Sequence, residues 1–198
     1  MANSQASHVS EIRDQKEPIV HDVFEHNTGT WQYVIADPST SSAVIIDPVL
    51  DYNPTTRAIT TTSADYLLSR VKEANYHVTM ILETHVHADH ITAASYLQNR
   101  LAEIQVKRPD IGIGKRIGLV QELFGERYGI AAEEYKGVFD KLFDDDEDFQ
   151  IGQLSATAIH LPGHTPDHLG YKIGGKTSTK LEPWTKFANL MLRKRILW

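Results

Sequence analysis

Not one cysteine occurs among the 198 residues. Disulfides, thiolate zinc fingers, iron–sulfur clusters and thiol nucleophiles are excluded by that absence alone. Any metal must be held by His, Asp or Glu, the N and O donors that suit zinc, iron or manganese. Long apolar runs are missing too, and no stretch approaches the length of a membrane span. The opening segment MANSQASHVSEIRDQKEPIVHDVF lacks a signal-peptide core. It carries Glu11, Asp14 and Glu17, against the acid-poor composition of a transit peptide. The expectation is a soluble, cytoplasmic protein, with a mitochondrial location as the alternative. Positive charge is scarce: 20 Lys and Arg against 26 Asp and Glu give a net charge of -6. Nucleic-acid binding needs a concentrated basic face, so nucleic acid is excluded as a general partner. Apolar residues at 41% and charged residues at 23% are ordinary for one globular domain, and the chain is short for two.

Histidine is concentrated rather than abundant. Of ten in the chain, three fall within LETHVHADHITAA, together with Asp89. The segment HVTMILET before the cluster alternates as a strand, and ADHITAASYLQNRLA after it reads as helix. The cluster therefore sits at the carboxyl end of a strand in an α/β unit, where open sheets place ligand sites. Elsewhere TWQYVIAD and SAVIIDP read as strands. VLDYNPTTRAITTTS is too rich in Thr and Pro to be regular, and Ser63 is positioned to cap a helix carrying Ala64, Leu67, Leu68 and Val71. IGIG and LVQELFGERYG suggest a strand and a helix. FDKLFDDDEDFQIG reads as a solvated acidic loop, lacking the alternate ligands and central Gly of a calcium loop. QLSATAIHLPGHTPDHLGYKIGG reads as strand, loop and strand.

A tight strand-to-helix turn can aim neighbouring imidazoles into one pocket, whereas a regular strand or helix spreads them over faces. His85 and His87 can serve one metal position, and Asp89 with His90 a second. His164, in a loop punctuated by Pro and Gly, can be brought in by the fold. Three nitrogen ligands and an open position describe a catalytic site rather than a closed structural one. The competing account is a set of satisfied histidines without metal, which the density of HxHxDH disfavours. His160, four residues before His164 on a strand, faces the same side and is a candidate support for it. His168 is ambiguous. Asp47, ending VIID, either orients the histidine turn or simply forms a turn.

With HxHxDH and the later lone histidine, the sequence resembles the metallo-β-lactamase superfamily, which implies an α/β fold, an αβ/βα sandwich. AVIIDPVLDY, ILETHVHADHITAASYL and LPGHTPDHLGY narrow the likeness to its persulfide dioxygenase branch, over about residues 19–175. The resemblance implies oxidation of glutathione persulfide by O₂ to sulfite. It implies one Fe(II) on His85 and His164, with His87, Asp89 and His90 supporting. In two-zinc relatives of the glyoxalase II type, which hydrolyse thioesters, all five residues would be ligands. The branch takes its third iron ligand from a downstream Asp in a GD turn.

This sequence departs from the branch there. GKTSTKLEPWTKFANLMLRKRILW contains no Asp, and its only acid is Glu182. The division expected is a polar lead-in at 1–18, a partial domain at 19–175 and a divergent basic tail at 176–198. That tail reads either as a truncation or altered reading of the gene, or as a basic segment contacting a membrane or partner. An inactive, truncated isoform acting only as a binding protein is the third functional alternative, and homo-oligomerisation remains open.

Overall fold

The computed structural model describes residues 17–87 and 90–174. Six strands make the main sheet, in the order β1 (Ile19–Glu25), β2 (Thr30–Ala36), β3 (Ser42–Ile46), β6 (His77–Leu82), β8 (Asp110–Gly114) and β9 (Lys141–Phe143). β1, β2 and β3 meander antiparallel, while β3, β6, β8 and β9 run parallel. The residues between the parallel strands supply α1 (Thr62–Glu73), α2 (Ala94–Ile104) and α3 (Ile117–Tyr128). A second sheet, β10 (Glu147–Ile151), β11 (Leu154–His160) and β12 (Leu169–Ile173), is antiparallel.

Side-chain alternation divides the main sheet between two cores. Val34, Ala36, Ala43 and Ile45 pack with Ala64, Leu67, Leu97 and Leu101 of α1 and α2. Their neighbours Tyr33, Ile35, Val44 and Ile46 face the second sheet, against Ile151, Ala158, Leu169 and Tyr171. Helices, six-stranded sheet and three-stranded sheet thus form successive layers, in agreement with the sandwich expected. β6 pairs Val78 with Ala43 and Met80 with Val44, so Thr79 is an extra, bulged residue. Val78 belongs to the helix-side core, whereas Met80 and Leu82 turn to the inter-sheet core. Among the described residues no helix is long and apolar enough to cross a membrane.

Four local expectations are corrected. The Thr-rich stretch is a hairpin: β4 (Val49–Tyr52) pairs with β5 (Ile59–Thr60). Its turn is closed by Asn53, whose Oδ1 accepts from Thr55 N and Thr56 N at 2.9 and 3.0 Å. Ser63 is not the N-cap, which is Thr61; instead Asp51 accepts from Ser63 N and Ser63 Oγ at 2.9 and 2.6 Å. The first-turn N–H of Ser63 is therefore satisfied from β4, 12 residues upstream. Ile91–Thr92 is a short strand, β7, on the other side of β4, and helix begins only at Ala94. The acidic segment contains β9 and β10, which pair with β8 and β11, and three of its carboxylates, Asp144, Asp145 and Glu147, pair with Lys115, Arg116 and Lys141.

Candidate metal centre

Parallel strands deliver their carboxyl ends to one edge, and the chemistry collects there. Asp47 follows the last residue of β3, and its N donates to Leu82 O at 2.9 Å; Glu83 N donates to Gly112 O at 2.9 Å. The second sheet is tied to the same edge, with Leu169 N on Thr84 O and Tyr171 Oη on Glu83 O, both 2.8 Å. These bonds hold the His85 turn against the 161–168 loop, which carries His164 and His168.

Four sequence-predicted histidines meet at this edge. The His85 ring centroid lies 3.9 Å from that of His87 and 4.7 Å from that of His164, nearly perpendicular to the latter. His90 continues the row, 4.0 Å from His87. His168 joins them, stacked on His85 at 4.8 Å. Its sequence signal was only a position four residues after His164, in a loop already singled out. His85 is buried, whereas His164 lies exposed and closes the group from the solvent side.

Asp47 sits beneath the turn. Its Oδ1 accepts from Thr84 N at 2.8 Å and from His87 Nε2 at 3.2 Å, and its Oδ2 accepts from Thr84 Oγ1 at 2.9 Å. Thr84 Oγ1 is also 2.8 Å from His85 Nδ1. One hydroxyl has one proton; spent on Asp47, it leaves the oxygen to accept from His85 Nδ1–H. His85 then presents Nε2 to an ion, and His87, held through Nε2, presents Nδ1.

Glu83 was missed, although it alternates with His85 and His87 along the chain. Its Oε1 accepts from Thr92 Oγ1, and its Oε2 lies 3.7 Å from His87 Nε2. Asp47, Glu83 and His87 offer ligand atoms within 4.8 Å of one another. Burial, then the Asp47 charge, holds the Glu83 carboxyl well above its usual range. Burial pushes Asp47 the same way, but bonding and charge from His87 and bonds from Thr84 outweigh it, so Asp47 is the ionised member.

The donor set fits a divalent transition ion. Burial, reinforced by its imidazole neighbours, pushes His85 down to about 3, and burial also lowers His168. Both rings are neutral at physiological pH, the form that binds metal. Asp89 lies outside the described residues, as does the tail 176–198. His160 is not part of the cluster: its Nε2 bonds Pro166 O at 2.9 Å and its Nδ1 lies 4.0 Å from Asp145. It braces the base of the loop. Beside His90 opens a cavity of about 940 Å³, walled by Thr28, Asp51, Tyr52, Thr55 and Ile91 among others.

The sequence profile of the metallo-beta-lactamase superfamily matches residues 27–177. A probable metallo-hydrolase of Burkholderia pseudomallei is 38% identical over 156 residues, 78% of this chain and 51% of that protein. Glyoxylase B2 of Dictyostelium discoideum is 36% identical, over 75% of this chain and 50% of its own length. The mitochondrial persulfide dioxygenase ETHE1 of Bos taurus is 27% identical, over 75% and 45%. The crystal structure of ETHE1 from Myxococcus xanthus superposes with a TM-score of 0.57 at 26% identity, over 78% of this chain and 53% of that one. The chain thus spans about half the length of the curated relatives it matches.

Proposed function

Since the chain belongs to the metallo-beta-lactamase superfamily, we propose that it is a metal-dependent persulfide dioxygenase acting on glutathione persulfide, with residues 19–175 as the catalytic unit. The observation that carries this reading is the meeting of neutral, buried His85 with solvent-facing His164 across two sheets. The likeness to the ETHE1 proteins supports it. His85 and His164 would hold Fe(II), which supplies the one-electron chemistry that lets O₂ meet a sulfur anion. In balance, the terminal sulfur gives four electrons to one O₂. Its S–S bond breaks, three S–O bonds form with one oxygen from water, and sulfite, thiol and protons leave.

The chain's own residues orient and exclude. Asp47 and Thr84 fix the ring of His85, and Asp47 and Glu83 back that of His87. Purified protein given Fe(II) and glutathione persulfide should consume O₂, and His85→Ala should abolish the uptake. No uptake by folded, iron-loaded protein refutes the reading.

A two-zinc thioester hydrolase is the second reading, favoured by the contact of His90 with His87 and by the likeness to glyoxylase B2. His85, His87, Asp89, His90 and His164 would then all be ligands. Metal analysis separates the two at about one iron against about two zinc per chain.

A further inference from the structure

His90 is gripped from the far side by residues of the first hairpin. Its Nδ1 lies 3.2 Å from Thr30 Oγ1, which is 2.9 Å from Thr28 Oγ1, which is 2.6 Å from Glu25 Oε2. Glu25 and Thr30 are cross-strand partners in the β1–β2 register, 5% and 2% exposed. The carboxylate also accepts from Asn27 N at 2.8 Å and Thr28 N at 2.7 Å. Burial works against its charge, but the bonds from Thr28 and Asn27 outweigh that and hold it below the usual range.

The protons along this chain can be placed by elimination. An ionised carboxylate only accepts, so the 2.6 Å contact takes the single Thr28 proton. The contact between the two hydroxyls then draws on the Thr30 proton. With that spent, Thr30 Oγ1 can only accept from His90, so Nδ1 carries the hydrogen. The sequence imidazole, hydroxyl, hydroxyl, carboxylate repeats with one extra link the arrangement His85, Thr84, Asp47 beneath the turn. Ring nitrogens differ in role according to the bond the other makes.

We propose that Glu25, Thr28 and Thr30 are positioning residues of the metal centre, fixing His90 as the Nδ1–H tautomer with its Nε2 lone pair on the ion-binding side. This rests on reading the histidine cluster as a metal centre, and on neither choice of ion. It makes the first hairpin, remote in sequence, a determinant of whether the His90 position accepts an ion. Thr28 also walls the cavity beside His90, so a substrate bound there contacts the chain directly.

The test is a nitrogen-15 NMR measurement of the His90 ring in the metal-free full-length protein, with a zinc titration. The parent should show Nδ1–H. Thr30→Val, which keeps the shape and removes the hydroxyl, should redistribute His90 between tautomers, and Thr30→Ser should restore it. Thr28→Val breaks the chain one link away, at a half-buried turn, and should act in the same direction should Thr30→Val fail to fold. Both Val variants should weaken zinc binding at the His90 position by about 10–100-fold. An Nε2–H ring in the parent, or an unchanged tautomer in the Val variants, overturns the proposal. A shifted tautomer with unchanged zinc affinity overturns the claim that the chain serves the centre. A parent that binds no divalent ion refutes the metal-centre reading instead, while the tautomer measurement still decides whether the chain sets His90.

Discussion

Two Asp-Pro dipeptides bracket β3: Asp37-Pro38 opens the turn before it and Asp47-Pro48 leaves it. Both carboxylates are nearly buried, at 1% and 8% exposure. In both, burial opposes the charge and hydrogen bonds restore it. They differ in what they hold. Asp37 accepts from Ser39 N, Thr40 Oγ1 and Gln153 N, stitching a turn to the second sheet. Asp47 accepts from Thr84 N, Thr84 Oγ1 and His87 Nε2, and its own backbone lies in the left-handed region at φ 49°. One end of the strand fastens layers and the other aims imidazoles. The same dipeptide serves either purpose, so partner chemistry separates support from function.

The sharpest break in this comparison is Asp47→Asn. Asn tolerates the left-handed backbone about as well as Asp, so the substitution tests the carboxylate rather than the turn. We expect zinc or iron affinity to fall by about 10–100-fold, read by isothermal titration. Asp37→Asn should leave it unchanged. Equal affinities in both variants would reduce Asp47 to a turn former.

Next comes the opposite end. Gly152 has φ 59°, and a Cβ there would run into Thr40 Oγ1 and the Asp37 carboxylate. Gly152→Ala should lower stability by about 1–3 kcal/mol through overpacking, measured by urea unfolding, with metal affinity intact. Loss of metal binding in parallel would show that the two ends are coupled.

The smallest effect is a pH slope. The folded-state pKa of Asp37 is lowered, so its contribution is full above the unfolded value of about 3.9. It is lost as pH falls through the lower folded value. Urea midpoints measured from pH 5 to pH 3 should fall less steeply in Asp37→Asn than in the parent. Parallel curves would contradict this account of Asp37.

Local pattern made much of the framework legible. Period-two alternation placed β2, a short apolar run placed β3, strand-like segments marked β6, β11 and β12, and the spacing of HxHxDH gave His85, His87 and His90 their common neighbourhood. What it concealed depends on contacts distant along the chain. β7 is a strand only because β4 lies beside it. Thr30 reaches His90 across 60 positions, and Tyr171 reaches Glu83 across 88. Residue type alone marks none of these. His160 shows the converse: strand parity related it to His164, but β11 ends at His160, His164 lies in the loop beyond, and the His160 imidazole bonds to Pro166.

The bulge in β6 bears on how such a centre can be moved or lost. A strand counts in twos, and one inserted residue reverses the count for everything after it. Thr79 is that residue, six positions before His85. The bulge absorbs it, so Val44 still faces Met80 and Leu82 still reaches the inter-sheet core. Deleting Thr79 should therefore leave a regular strand with the histidines in place, whereas flattening the bulge with Thr79 kept should send Leu82 toward the helices and turn the histidines away from the second sheet. The address of the site is written partly as an irregularity in the strand before it.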